Sequence, residues 1–254
     1  MQYVRFQYQG APRYGVIEGN FVYAVEGSIF GRWQKSGSGR AIDKVTLSAP
    51  VRPSKIVCVG LNYADHARET GKELPEEPCL FMKPSTAVIG PDEEIVYPKM
   101  AGRVDYEAEL ALVISQKCRN VAAKDWGKYV LGYTCFNDVT ARDLQQKDGQ
   151  WTRAKGFDTF APVGPWITDS VSPDDLAVTA RVNGEVKQSS RTSNLLFPPS
   201  YLVPFVSRIM TLLPGDVIAT GTPAGISGVS PGDVIEVEIE GIGTLRNTVV
   251  AEGA

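Results

Sequence analysis

Apolar positions along this chain recur mostly with a period of two, as in strands with one face buried. Residues 1 to 50 read YVRFQYQ, RYGVIEG and NFVYAVEG, separated by the turn signals QGAP, EGN and EGS, and predict a small strand-rich N-terminal domain. GSGR at 37 to 40 and prolines 50 and 53 mark a boundary, after which KIVCVGLN is a continuous apolar strand that opens a main domain over 51–254. YVLGYTCFNDV, at 129 to 139, is another strand, and LAVTARVNGEVKQSS is a hairpin turning at Asn183-Gly184. Two PGDVI segments, at 214 to 218 and 231 to 235, put Pro-Gly at the centre of type II turns that launch strands.

Helical periodicity is scarce. NYADHARETG predicts a short helix with Asn62 as N-cap and Gly71 as its stop, too polar and short to be stable alone. TARDLQQK begins another with Thr140 near its N-cap. PPSYLVPFVSRIMTLLPG is amphipathic, with Leu202, Phe205, Val206, Ile209 and Leu212 on one face and Pro204 in the first turn. Few, short helices among many strands follow.

One strand breaks the apolar rule. VDYEAELALVIS, residues 104 to 115, carries Asp105, Glu107 and Glu109 at alternate positions, so a continuous strand puts all three acids on one face. Two carboxylates ~5 Å apart repel by ~3 kcal/mol at an effective dielectric of ~20. Either the face is solvated or something positive sits there. Hard cations such as Mg2+ take oxygen ligands, and Asp138, at the end of the CFND run, is a third carboxylate for Glu107 and Glu109. His66 is the sole histidine, which leaves no second imidazole for a zinc site.

Glu69 lies one helical turn beyond His66, where a carboxylate can fix the imidazole tautomer and build a general base; a surface ion pair is the plainer alternative. Lys155 in WTRAKGFD and Arg142 in NDVTARD are candidate anion binders, although isolated cations are usually solvated. TGTPAG, at 220 to 225, can offer backbone N–H groups and the Thr222 hydroxyl to an anion, but it lacks the lysine and spacing of a nucleotide-binding P-loop.

Composition narrows the classes. The chain of 254 residues can bury a sizeable core, and 26 basic against 29 acidic residues leave a net charge of -3, which favours neither nucleic acid nor an anionic membrane. Cys58, Cys79, Cys118 and Cys135 have no metal-ligand spacing and read as buried or free thiols of a reducing compartment. With no signal-peptide pattern and no long apolar run, the expectation is a soluble, cytoplasmic protein.

Taken in order, VGLNYADHARE, FMKPSTAVIGP, VDYEAELALVI, FNDVTARDLQ, WTRAKGFDTFAPVGP and LLPGDVIATGTPAGIS resemble the fumarylacetoacetate hydrolase family over residues 54 to about 250. The resemblance implies an α+β fold, a mixed β-sandwich roll, generally homodimeric. It implies Mg2+, with Mn2+ or Ca2+ as alternatives, on Glu107, Glu109 and Asp138, leaving Asp105 as an outer or solvent-facing acid. It places the family lysine on Lys155, the lid His-Glu pair on His66 and Glu69, and substrate contacts on Arg142, Gln145 and Thr222. Specificity then falls to capping loops at 68 to 80 and 145 to 155.

The implied chemistry forms an enolate beside a metal-chelated small-molecule 2-oxo acid. The resulting expectation is a hydrolase of 3-acylpyruvates or a decarboxylase of oxaloacetate. A 5-carboxymethyl-2-hydroxymuconate isomerase is the alternative within the family, and a non-catalytic metal- or ligand-binding protein the alternative outside it.

Overall fold

Alternation along the strands becomes pairing in a computed structural model that describes every residue except 9, 70, 72 and 254. The strand path of the main sheet runs Trp33–Ala41, Phe21–Gly27, Ala11–Glu18, Gln2–Tyr8, Ala161–Thr168, Val130–Asn137, Ala108–Ile114, Val217–Ala219, Ile56–Gly60, Cys79–Lys83. Neighbours on this path are antiparallel except Val217–Ala219 and Ile56–Gly60, which are parallel. The N-terminal hairpins therefore extend the same sheet, through Gln2 opposite Thr168 and Tyr3 opposite Ile167.

A five-stranded sheet, Glu185–Arg191, Ala177–Val182, Val234–Ile239, Gly243–Ala251, Glu94–Tyr97, packs on the middle of the first. Leu110, Leu112 and Ile114 join Val178, Ala180, Ile235 and Val237 in the core between the sheets. Ala111 and Val113 point the other way, into a second core with Ile56, Val163 and Val217. The strand Ala108–Ile114 is thus buried on both faces, which is why its apolar run is nearly unbroken. The fold is strand-rich α+β. Among the described residues no helix is long and apolar enough to cross a membrane.

The hairpin at Asn183-Gly184 forms as expected, both residues at positive φ, between Ala177–Val182 and Glu185–Arg191. Both PGDVI turns close as well, Asp216 N–H donating to Leu213 O and Asp233 N–H to Ser230 O, each at 3.0 Å.

Several expectations need correction. GSGR is not a linker but lies inside the strand Trp33–Ala41, whose polar, largely exposed residues carry no period-two signal because it is the sheet's outer edge. The 104 to 115 strand is interrupted: Val104–Asp105 joins a small three-stranded sheet and Ala108–Ile114 the main one. The helix expected over 62 to 71 spans Ala64–Glu69, and Asn62 does not cap it. Asn62 is fully buried instead; its Nδ2 donates to Phe197 O and Thr220 O (3.0 and 2.7 Å) and its Oδ1 accepts from Phe197 N–H (2.8 Å).

Thr140 belongs to the strand Thr140–Ala141, and the next helix is Arg142–Asp148. The amphipathic helix is Pro199–Ile209, and Pro204 falls past its first turn, where the amide it lacks would have bonded only the carbonyl of exposed Ser200. Its buried face is Leu202, Val203 and Val206; Ile209 is exposed, because the helix ends there and the chain turns away.

Candidate metal and acid-base site

The break in the acidic strand builds the site. At the break, Glu107 N–H donates to Asn137 Oδ1 (3.0 Å) and Asp138 N–H to Glu107 O (2.9 Å). These two bonds cross-stitch the start of one central strand to the end of its neighbour, so Glu107, Glu109 and Asp138 converge with ligand oxygens all within 4.8 Å of one another, every residue buried.

Burial, then Asp138 and Glu107 nearby, push the Glu109 carboxyl well above the usual range, although it accepts the Gly221 N–H at 2.8 Å. Glu107 goes the other way: burial would raise it, but Lys155 and Arg142 beside it hold it well below the usual range.

Two buried lysines face the carboxylates. Lys155 Nζ donates to Glu107 Oε2 (2.9 Å) and Asp138 Oδ2 (2.7 Å) and lies 4.9 Å from the Phe81 ring centre. Lys83 Nζ donates to the carbonyls of Val139 (2.9 Å) and Lys155 (2.7 Å) and stands 2.8 Å from Asp138 Oδ1. That last contact has the distance of an ion pair without hydrogen-bond alignment, so Asp138 Oδ1 is charge-compensated yet has no hydrogen-bond donor. A convergent all-carboxylate set with one such buried oxygen fits a hard divalent cation of the Mg2+ or Mn2+ type.

Arg142 Nε bonds Asp105 Oδ2 (2.8 Å), its Nη2 bonds Glu107 Oε1, and its Nη1 donates to Gln145 Oε1 (2.6 Å). Burial opposes the Arg142 charge, but Glu107 and Asp105 raise its pKa further above the ordinary value. Arg103 adds a second guanidinium to Asp105 at 2.7 and 3.1 Å. Asp105 is therefore not solvent-facing; it is fully buried and fixes Arg142 against Glu107.

The helix Ala64–Glu69 brings His66, with Nδ1 3.0 Å from Glu69 Oε2. Glu69 Oε1 also accepts the Gly225 N–H (2.9 Å), which ties this helix to the TGTPAG loop. The loop's groups are largely committed: Gly221 N–H serves Glu109, and the Thr222 hydroxyl donates to Ala108 O (2.9 Å) and accepts from Gln188 Nε2 (2.8 Å).

All nine side chains singled out from the sequence line one cavity of about 350 Å³: His66, Glu69, Glu107, Glu109, Asp138, Arg142, Gln145, Lys155 and Thr222. Phe81, Arg103, Asp105, Gln146, Trp151 and Ile226 share its wall. Of the two proposed capping loops, 145 to 155 is largely helical, in Arg142–Asp148 and Thr152–Lys155, and supplies Gln145, Gln146 and Trp151. In the other, 68 to 80, residues 70 and 72 lie outside the described residues.

Sequence reasoning missed Lys83. It ends an exposed-looking strand, CLFMK, and the available signal was a lone lysine directly before Pro84 in the FMKPST motif. All four cysteines are free thiols, Cys79 exposed and the others buried.

The family model "Fumarylacetoacetate (FAA) hydrolase C-terminal" matches residues 55–250, and "Rv2993c-like, N-terminal" matches residues 1–50. The rat protein "Oxaloacetate tautomerase Fahd2a, mitochondrial" is 42% identical over 82% of this chain and 70% of its own. The crystal structure of 5-carboxymethyl-2-hydroxymuconate delta-isomerase from Mycobacterium smegmatis is 44% identical, with a TM-score of 0.93 over 99% of this chain and 100% of its own. The crystal structure of maleylpyruvate hydrolase from Sphingobium sp. SYK-6, in complex with manganese (II) ion and pyruvate, is 31% identical, with a TM-score of 0.83 over 99% of both chains.

Proposed function

We propose that this chain, which belongs to the fumarylacetoacetate hydrolase family, catalyses proton transfer at the carbon beside the carbonyl of a short 2-oxo acid, as a tautomerase or isomerase. The observation that carries this reading is the His66–Glu69 pair, 3.0 Å apart, on the cavity that holds the three carboxylates. Glu107, Glu109 and Asp138 would hold the divalent cation, Mg2+ or Mn2+, which when bound polarises a carbonyl oxygen and steadies negative charge developing on it.

The chain's own residues do the rest. With Nδ1 engaged by Glu69, proton exchange with a substrate falls to His66 Nε2, and the Glu69 carboxylate steadies the imidazolium formed when His66 takes the proton. Arg142 occupies the oxygen of the Gln145 amide and so turns its NH2 group toward use as a carboxylate donor. Lys155 holds Glu107 and Asp138 in place by a hydrogen bond to each. Phe81 and Trp151, 5.1 Å between ring centres, give the cavity an apolar wall that limits water.

Proton transfer needs only this base and a means of holding charge, whereas hydrolysis needs an added water nucleophile. The relatives named tautomerase and isomerase favour the same order, at 42% and 44% identity. A second reading, cleavage of a 3-acylpyruvate or decarboxylation of oxaloacetate, is favoured by the 31% identical maleylpyruvate hydrolase; there His66 would deprotonate water.

Purified protein with Mg2+ or Mn2+ is to be assayed for loss of enol-oxaloacetate absorbance and of muconate absorbance, and for pyruvate release from acetylpyruvate, fumarylpyruvate and oxaloacetate. The expected result is enol turnover, lowered about 10²- to 10⁴-fold in kcat by His66→Ala. Pyruvate release without enol turnover selects the second reading, and inertness toward every substrate rejects both. Homodimeric assembly belongs to the same proposal and is checked by light scattering.

A further inference from the structure

The strand Gln2–Tyr8 is paired on one side with Ala11–Glu18 and on the other with Leu47–Ser48, which sets Arg5 opposite Tyr14 and Ser48. Arg5 is only 7% exposed. It nonetheless makes no side-chain hydrogen bond or ion pair among the described residues, whereas Arg142, somewhat more exposed, is bonded at every nitrogen. A guanidinium carries five donors and no acceptor, and none of the Arg5 nitrogens is among the sealed-off unpaired atoms of the described residues, so its donors open onto the space beside them.

What Arg5 faces is a cavity of about 530 Å³, lined also by Arg52, Gln7, Ser48, Ser85 and Glu93. Its wall shares no residue with the Glu107 cavity. Two arginines against one glutamate leave that wall with a net positive charge. Burial and the like charge of Arg52 both act against the Arg5 cation, with Tyr14 and Glu93 in partial compensation. Glu93 spends one of its two carboxylate oxygens, Oε2, on the Gly90 N–H. Ser48 Oγ accepts from Gln7 Nε2 at 3.4 Å, so its own proton is available to an acceptor in the cavity. This wall is rich in donors and short of acceptors.

We propose that this cavity, where residues 1–50 meet the main strands, is a second binding site, for a small organic anion whose carboxylate or phosphate group is taken by Arg5 and Arg52. The planar guanidinium fork matches two oxygens of either group, and hydroxyl and amide donors at Ser48, Ser85 and Gln7 supply the remaining hydrogen bonds.

The test is a thermal-shift and calorimetric titration of the full chain with inorganic phosphate and, separately, succinate, which tells a phosphate site from a carboxylate site. Arg52→Ala, a change at an exposed side chain, is expected to weaken binding at least tenfold. Arg5→Met is expected to abolish the anion-dependent rise in Tm while raising the Tm of the ligand-free protein, since it removes a partly desolvated cation held beside the like charge of Arg52. A merely structural Arg5 predicts the reverse: a lower ligand-free Tm with the anion response intact. Glu107→Gln, in the other cavity, should leave this binding unchanged. The proposal is overturned if neither probe binds saturably, or if binding survives both arginine variants and is lost in Glu107→Gln.

Discussion

Lys83→Met tests whether a lysine holds the carboxylate cluster together. Lys83 is fully buried and its ammonium stands on Asp138 Oδ1 and on two main-chain carbonyls. Burial pulls the Lys83 ammonium down and Asp138 pushes it back up, so the charged form depends on that partner. Methionine is unbranched and one atom shorter, and it can still lie against the Phe160 ring, which sits 5.8 Å from Nζ. It supplies no charge. Asp138 keeps its bond from Lys155, but Oδ1 loses the one cation it has among the described residues, and the carbonyls of Val139 and Lys155 lose a donor.

Breaking a buried pair from one side costs about 3–5 kcal/mol. A chain of 254 residues has an unfolding entropy near 0.5 kcal/mol per kelvin, so each kcal/mol moves Tm by about 2 °C. The expected fall is roughly 6–10 °C, read by calorimetry in chelator so that no added cation can replace the lysine. The matching cycle adds Asp138→Asn and the double variant. A coupling energy of about 2 kcal/mol or more is expected, because with Asp138 neutral the missing lysine matters less. Additivity within about 0.5 kcal/mol would refute the argument, and so would an unchanged Tm in Lys83→Met.

Three further outcomes follow from the same geometry. Asn62→Ala strips donors from Phe197 O and Thr220 O and an acceptor from Phe197 N–H, and should cost about 3 kcal/mol in urea unfolding. Gly221→Ala puts a Cβ at φ +95°, 2.8 Å from Asn62 Cβ and 2.9 Å from Val59 O, so it should lower stability by about 2 kcal/mol and weaken Mn2+ binding through the displaced Glu109, as measured by calorimetry. Glu69→Gln should reduce turnover at least tenfold with little change in Tm, since Glu69 is 31% exposed and acts through His66; an equal loss of stability would point to a structural part in holding Gly225.

Much of the fold was legible because sheet burial leaves a period-two trace and turns need particular residues. Asn183-Gly184 and the two Pro-Gly turns required positive φ and showed it in their residue types. Trp33–Ala41 left no such trace, since an edge strand buries little and its polar residues look like a linker. The acidic run pointed to a cluster but not to its geometry: the reading of one continuous strand could not include the break after Asp105, which is set by bonds to Asn137 and Asp138 some 30 positions away. Asn62 had the residue type of a helix cap, and only tertiary proximity turned it toward 197 and 220. Lys83 was invisible for the same reason, since a lone lysine in a strand is ordinarily solvated and its partners lie at 138, 139 and 155.

Every partner of the Asn62 side chain is a main-chain atom. An amide that grips only backbone constrains its own position strictly and leaves the identities of residues 197 and 220 unconstrained by that grip. Residue 197 can therefore exchange its side chain, over generations or in a mutant library, while the fastening stays intact, whereas the Thr220 hydroxyl and the space beside Gly221 are fixed by contacts of their own. The other segment runs directly into Gly221 and Thr222, whose places at the cavity are fixed, so variation beside this joint is taken up at 197 while the cavity's edge keeps its shape.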